Sequence, residues 1–321
     1  MLIDMPLAEL LKYKGKNPRP KDMDAFWDGS ISEMHAIDPK LELKPAPFEA
    51  PKADCFDLYF TGIGRARIHA KYLRPKGLAK KDKLPAVVIF HGYTGSSGAW
   101  LDKLAWVGQG FCVAALDCRG QGGFSEDVGG VKGNTYKGHI IRGLAEDTPD
   151  KLLFRDIFLD TAQLGGIVMN MPEVDPARVG ALGGSQGGGL TLACASLEPR
   201  IKRAAPVYPF LSDYLRVWEM DLAVGAYEEL KWYFRVYDPR HERQDAIFEK
   251  LGYIDVQHLA KRIKGEVMMG TGLMDTICPP STQFAAYNKI TSKKNYLLYP
   301  DFAHEDLTGH NDKIFQFMMG M

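Results

Sequence analysis

The sequence predicts an α/β fold, a mostly parallel central sheet flanked by helices, with one helical insertion. Three observations carry this. From residue 84 onward, short and almost wholly apolar strands recur at 86–90, 112–116, 179–182, 204–208, 267–269 and 296–299. A strand that is apolar at every position is covered on both faces, as parallel strands are between two layers of helices. Helical stretches alternate with them at about 100–108, 154–170, 186–197 and 280–290. Finally, 321 residues with 45% apolar composition suit a single α/β domain, 1–321, with insertions.

Residues 1–50 read as a helical N-terminal arm. Leu7, Leu10 and Leu11 stand at helical spacing, as do Phe26, Trp27, Ile31 and Met34, and Pro18 and Pro20 separate the two stretches. Two β stretches, 55–60 and 66–73, joined across Gly62 and Gly64, form an antiparallel entry to the sheet. The segment 211–262 is too long for a simple crossover and rich in aromatics, among them Tyr214, Trp218, Tyr227, Trp232 and Phe234. It reads as a helical insertion over the sheet edge. A core of its own, a cap over a pocket and a subunit contact are all compatible with that composition.

Charge narrows the function. Lys+Arg and Asp+Glu balance at 40 each, so no basic surface points to nucleic acid or an anionic membrane. The five cysteines, Cys55, Cys112, Cys118, Cys194 and Cys278, are widely spaced among apolar neighbours and read as reduced, buried thiols. The acidic start of the chain does not resemble a secretory leader, and no apolar run has the length of a membrane span. A soluble cytoplasmic enzyme is the expectation.

The most informative motif is Gly183-Gly184-Ser185-Gln186-Gly187, which lies between the apolar strand 179–182 and a helical stretch. G-x-S-x-G between strand and helix is a nucleophile elbow: a strained turn that lifts a serine Oγ above the sheet, at a helix N-terminus suited to an oxyanion. The flanking glycines are expected to supply conformational freedom. A purely structural glycine turn is the plain rival. A phosphate loop is disfavoured, because neither a Gly-Lys-Ser/Thr ending nor G-x-G-x-x-G spacing is present.

In this fold the acid and the base follow the serine in that order. His304 follows the last predicted strand directly and is the expected general base. His241 and His258 lie in the insertion, and His310 lies in the final polar stretch. Asp275 follows the preceding strand and is the expected acid; Asp301, three residues from His304, is the rival. The oxyanion donors are expected to be the amide of Gln186 and that of Tyr93, in the loop His91-Gly92-Tyr93-Thr94-Gly95. His91 reads as a packed structural histidine. The Tyr93 ring, with Trp106 opposite, is expected to wall a small acyl pocket. No cluster has metal-ligand spacing, so no metal and no cofactor are expected.

With these segments in place, the chain resembles the cephalosporin C deacetylase and acetyl xylan esterase group, carbohydrate esterase family seven of the α/β-hydrolase superfamily. The resemblance rests on Arg119-Gly120-Gln121, the Gly183–Gly187 elbow, His304-Glu305, Gly272-Leu273-Met274-Asp275 with Cys278-Pro279-Pro280-Ser281-Thr282, and Phe284-Ala285-Ala286-Tyr287-Asn288. The chain departs from the family pattern at Leu152-Leu153-Phe154-Arg155, at His258 and in the segment 124–140. The resemblance implies an α/β-hydrolase fold and a serine esterase that takes acetyl groups from small substrates such as xylo-oligosaccharides and 3'-acetylated cephalosporins. It also implies a cytoplasmic homo-oligomer, typically a hexamer, and no cofactor. Arg119 would tie neighbouring loops together behind the site, with Gln121 in the same motif. A broader short-chain carboxylesterase, a peptidase-like hydrolase and a non-catalytic ligand-binding protein are the alternatives, because fold does not dictate substrate.

Overall fold

The computed structural model describes residues 3–79, 83–129 and 134–321. Among the described residues nine strands form one sheet: β1 (Glu42–Pro45), β2 (Ala53–Thr61), β3 (Arg67–Pro75), β4 (Leu84–Phe90), β5 (Cys112–Leu116), β6 (Val174–Gly184), β7 (Arg203–Val207), β8 (Glu266–Gly272) and β9 (Lys294–Tyr299). Their order is β1-β2-β3-β5-β4-β6-β7-β8-β9. The pairs from β5 through β4 to β9 are parallel, and β1, β2 and β3 enter antiparallel. The predicted strands all appear. One strand was not foreseen: β1 reads Glu-Leu-Lys-Pro on the exposed sheet edge, where nothing imposes an apolar pattern.

The helices are α1 (Leu7–Leu10), α2 (Met23–His35), α3 (Leu104–Gly108), α4 (Leu153–Met169), α5 (Gln186–Leu197), α6 (Tyr214–Glu219), α7 (Glu228–Tyr237), α8 (Gln244–Leu251), α9 (Val256–Leu259), α10 (Pro280–Lys289) and α11 (His310–Met319). Alternate residues of one strand feed two cores, as the two-residue strand period requires. Val88 and Phe90 join α2, α4, α5 and the insertion, while Val87 joins Val107 of α3 and Ile314 and Met318 of α11. The last helix corrects the reading of 310–319 as a polar stretch: His310, Ile314 and Met318 are buried at a four-residue spacing.

The arm is helical only to His35 and then supplies β1. It is anchored through the insertion. Asp213 accepts the amides of Lys16 and Asn17 (2.9 and 2.8 Å) and the Tyr13 hydroxyl (2.8 Å). His258 Nε2 meets the carbonyls of Asn17 and Pro18 (3.1 and 3.2 Å), and buried Trp27 donates to the Tyr253 carbonyl (2.9 Å). The insertion is a run of short helices with an aromatic centre in which Phe234 packs 4.8 Å from Trp218 and 5.9 Å from Phe248. All five cysteines are free and buried. Among the described residues, no helix is long and apolar enough to cross a membrane. The segment 124–140, where the chain departs from the family pattern, includes 130–133, which lie outside the described residues, as do positions 1 and 2.

Beyond β5 the chain turns through Arg119, whose guanidinium is 1% exposed. It makes a fork-to-fork pair with Asp160 of α4 (both bonds 2.8 Å), bonds Asp156 (3.1 Å) and donates to the Ile63 carbonyl (3.1 Å). Burial holds the Asp160 carboxyl up at about 6 even with the guanidinium acting against that shift. Removing one partner of such a pair strands a buried charge. Arg119→Met should therefore lower the free energy of unfolding by about 3–5 kcal/mol. Urea denaturation checks this, and a change near zero would show that the pair is dispensable to the fold.

Candidate active site

Ser185 sits between β6 and α5 with φ 58° and ψ −121°, a region a side chain rarely occupies. Its amide donates to the Val207 carbonyl (3.0 Å), and its own carbonyl accepts the amides of Gly189 (3.1 Å) and Phe210 (3.0 Å). The strained turn is thus held from both sides. The flanking glycines act differently from the expectation. Neither Gly183 nor Gly187 has a positive φ. Their role is space: a Cβ on Gly183 would lie 2.5 Å from the Phe90 carbonyl oxygen, and one on Gly187 would collide with the same atom. The elbow packs directly on the last carbonyl of β4.

The loops after β8 and β9 bring up two further groups. They are joined by Leu273 N–H to Tyr299 O (3.1 Å) and Met274 N–H to Phe302 O (2.9 Å). Across that seam, Asp275 Oδ2 lies 2.8 Å from His304 Nδ1, and His304 Nε2 lies 2.9 Å from Ser185 Oγ. Asp275 is fully buried, and its Oδ1 accepts the amides of Ile277 and Cys278 (both 2.8 Å). In the neutral tautomer Nδ1–H donates to Asp275, and Nε2 is free to accept the serine proton. Glu305 accepts the Ala303 amide (3.0 Å) and closes the base loop. Asp301 is exposed and makes no such approach to His304.

The two expected oxyanion amides face no acceptor among the described residues. That of Gln186 opens α5, where the first amides of a helix have no partner within it. That of Tyr93 lies in the loop after β4. His91 steadies this loop, with Nε2 accepting the Cys118 amide (3.0 Å) and Nδ1 donating to the Gly92 carbonyl (2.7 Å). Two fully buried side-chain amides then lock three loops together. Gln121 Nε2 donates to Gln186 Oε1 (2.9 Å), Gln186 Nε2 donates to Gln121 Oε1 (3.0 Å), and that same oxygen accepts the Thr94 amide (3.0 Å). This explains why Arg119-Gly120-Gln121 and the Gln of the elbow occur together. Asp117 holds the base of the same loop through His69 Nδ1 (2.6 Å) and the amides of Ser97 (2.5 Å) and Phe124 (3.0 Å). Burial opposes ionisation of Asp117, but these donors outweigh it and hold its pKa at about 2.

A cleft of about 370 Å³ opens over Ser185 and His304, with Tyr208, Leu307, His310 and Ile314 among its walls. The Tyr208 ring lies 4.6 Å from that of His304, at a backbone φ of 31°. Tyr208 and His310 were missed in the sequence. Tyr208 ends an apolar strand, where only the β7–β8 register aims it at the site. His310 packs against Gly270 and meets the Tyr299 hydroxyl (3.1 Å). Trp106 is elsewhere. Its ring packs on Phe111 (5.2 Å) and Phe315 (5.4 Å) and is not part of the cleft wall, because α11, unforeseen in the sequence, covers it. The Tyr93 ring turns toward the insertion, 5.9 Å from Phe210 and 5.1 Å from His139.

Spacing along the chain shows no metal-ligand cluster; in space, three residues with ligand atoms do come together. Asp275, Cys278 and His304 place one ligand atom each within 4.8 Å of one another. Residue spacing does not reveal this set, because two loops assemble it. Both Asp275 oxygens and His304 Nδ1 already serve the hydrogen bonds described above.

Similarity to known proteins agrees with this geometry. Residues 1–321 match the family model described as acetyl xylan esterase (AXE1). Acetyl xylan esterase 1 from Thermoanaerobacterium sp. JW/SL YS485 is 60% identical, with a TM-score of 0.95 over 99% of both chains. The acetyl xylan esterase from Paenibacillus sp. R4 is 35% identical, with a TM-score of 0.92 over 98% of this chain and 99% of the other. The acetyl esterase Axe7A of Xylanibacter ruminicola is 26% identical over 310 residues; that match covers 92% of this chain but only 65% of the relative's length. With the α/β-hydrolase architecture, the whole-length match and the 60% identity, the chain belongs to the acetyl xylan esterase (AXE1) family.

Proposed function

We propose that this chain is a carboxylic ester hydrolase that removes acetyl groups from small acetylated substrates through an acetyl-enzyme on Ser185. The observation that carries this reading is the unbroken relay Ser185 Oγ–His304–Asp275. His304 Nε2 takes the proton as Oγ attacks the acetyl carbonyl. The amides of Tyr93 and Gln186 receive the developing oxyanion. His304 then protonates the departing alcohol, and water, activated by the same imidazole, releases acetate. Asp275 keeps the imidazole in the required tautomer and stabilises its charged form. Acetylated xylo-oligosaccharides are the favoured natural substrates, because two similar solved structures are acetyl xylan esterases. Acetylated cephalosporins belong to the same chemical class. The reading also carries a cytoplasmic homo-hexamer, which a sedimentation mass of six chains would support.

Ser185→Ala should abolish turnover, with a loss on the order of 10⁴-fold or more. His304→Ala should match it, and Asp275→Asn should retain slightly more activity. A Ser185→Ala enzyme with a tenth of wild-type activity would remove the serine from the mechanism, and a larger loss from Asp301→Asn than from Asp275→Asn would reassign the acid. EDTA should leave the rate unchanged; a loss restored by zinc would place a working metal at Asp275, Cys278 and His304.

Acyl size gives a separate test. The cleft over Ser185 and His304 is bounded by Tyr208, Leu307, His310 and Ile314, which leave little depth beside the serine for a longer acyl chain. Each methylene beyond acetyl should cost about 1–3 kcal/mol in the transition state. Rates on a p-nitrophenyl ester series should fall from acetyl through propionyl to butyryl. Equal kcat/KM for acetyl and hexanoyl esters would favour a broad carboxylesterase.

A further inference from the structure

Glu229 lies in the first turn of α7 in the insertion, yet it is only 1% exposed and its carboxylate faces the loop after β4. Its Oε1 accepts the Gly138 amide (2.8 Å) and the Tyr93 hydroxyl, and its Oε2 accepts the Ile140 amide (2.8 Å). The Tyr93 hydroxyl also accepts the His139 amide (3.3 Å). Three separate segments therefore meet at one carboxylate: the insertion, the loop 138–140 and the loop that carries the second unpaired amide. An anion suits this place because it offers only acceptors, and the groups that converge on it are all donors. Desolvation raises the carboxyl to about 7, and the surrounding amides act against that rise.

We infer that Glu229 is a positioning residue for ester hydrolysis: by gripping the Tyr93 hydroxyl it fixes the Tyr93 amide at the oxyanion. This rests on the esterase reading above and assigns the insertion a part in it. Hydrogen bonds to the peptide backbone hold the loop from behind, through His91 and Gln121, but they do not hold the Tyr93 side chain. The ring is the rigid lever that reaches from the loop to the insertion, and Glu229 is its only carboxylate partner among the described residues. An oxyanion donor displaced by a fraction of an ångström loses much of its value, because the transition-state charge is met at short range.

The experiment compares the full-length wild type with Glu229→Gln, Tyr93→Phe and the double variant on an acetyl ester. Active sites are counted by fluorophosphonate labelling of Ser185. Each single variant should lose about 10- to 100-fold in kcat per labelled site, with KM little changed. The double variant should lose no more than the worse single one, because both act on the same contact, Glu229→Gln weakening it from charged to neutral and Tyr93→Phe removing it. A merely structural role would instead reduce the number of labelled sites and leave kcat per site intact. Unchanged kcat per site in Tyr93→Phe, or losses that add in the double variant, would overturn the inference. Tyr93→Phe decides the matter even where Glu229→Gln folds poorly, because it leaves the Glu229 bonds to the Gly138 and Ile140 amides in place and frees only the His139 amide. A wild type that is neither labelled nor active on acetyl esters would overturn the esterase reading itself. A labelled, active wild type beside unaffected variants would overturn only the role of Glu229.

Discussion

The site depends on how closely α5 approaches the end of β4. Gly183 and Gly187 leave no side chain between the elbow and the Phe90 carbonyl, so the helix begins where the sheet stops. That contact sets the height of Ser185, the direction of the Gln186 amide and the reach of the Gln186 side chain into the loops after β4 and β5. A single added methyl at either glycine would push the helix away and move all three together. The strained φ of Ser185 is tolerated because the Val207 carbonyl and the amides of Gly189 and Phe210 over-determine it.

Around this fixed point the loops at the carboxyl ends of the strands are held by buried polar groups. Asp117 gathers His69, Ser97 and Phe124; Arg119 reaches back to α4; and the paired amides of Gln121 and Gln186 bridge three loops. Each group is costly to bury alone and inexpensive once fully bonded, so such a network permits one loop arrangement and penalises its neighbours. The apolar sheet below tolerates small shifts, but the polar clusters above it do not.

The arm and the insertion complete the structure from outside the central sheet. Asp213 and His258 join the arm to the insertion, and the insertion in turn packs Phe210 and Tyr227 (4.2 Å apart) toward Tyr93. An insertion with its own aromatic centre thereby also reaches the loop after β4, through Glu229 and Tyr93.

The sequence by itself determined the parallel strands, because strands covered on both faces must be apolar throughout, whatever their neighbours. It determined the elbow and the order of serine, acid and histidine, since each stands at a strand end whose position follows from local pattern. Between Asp275 and Asp301 the local pattern favoured Asp275, and it is Asp275 that lies within hydrogen-bond distance of His304. Tertiary structure alone decided the rest. The edge strand β1 carries no apolar signal, and α11 is amphipathic but reads as polar, so the displacement of Trp106 from the cleft was not legible. The glutamine pair, the Glu229–Tyr93 contact and the thiol of Cys278 beside Asp275 and His304 all join residues from different loops. Their meeting depends on strand register and loop length together, and neither periodicity nor spacing along one chain records that.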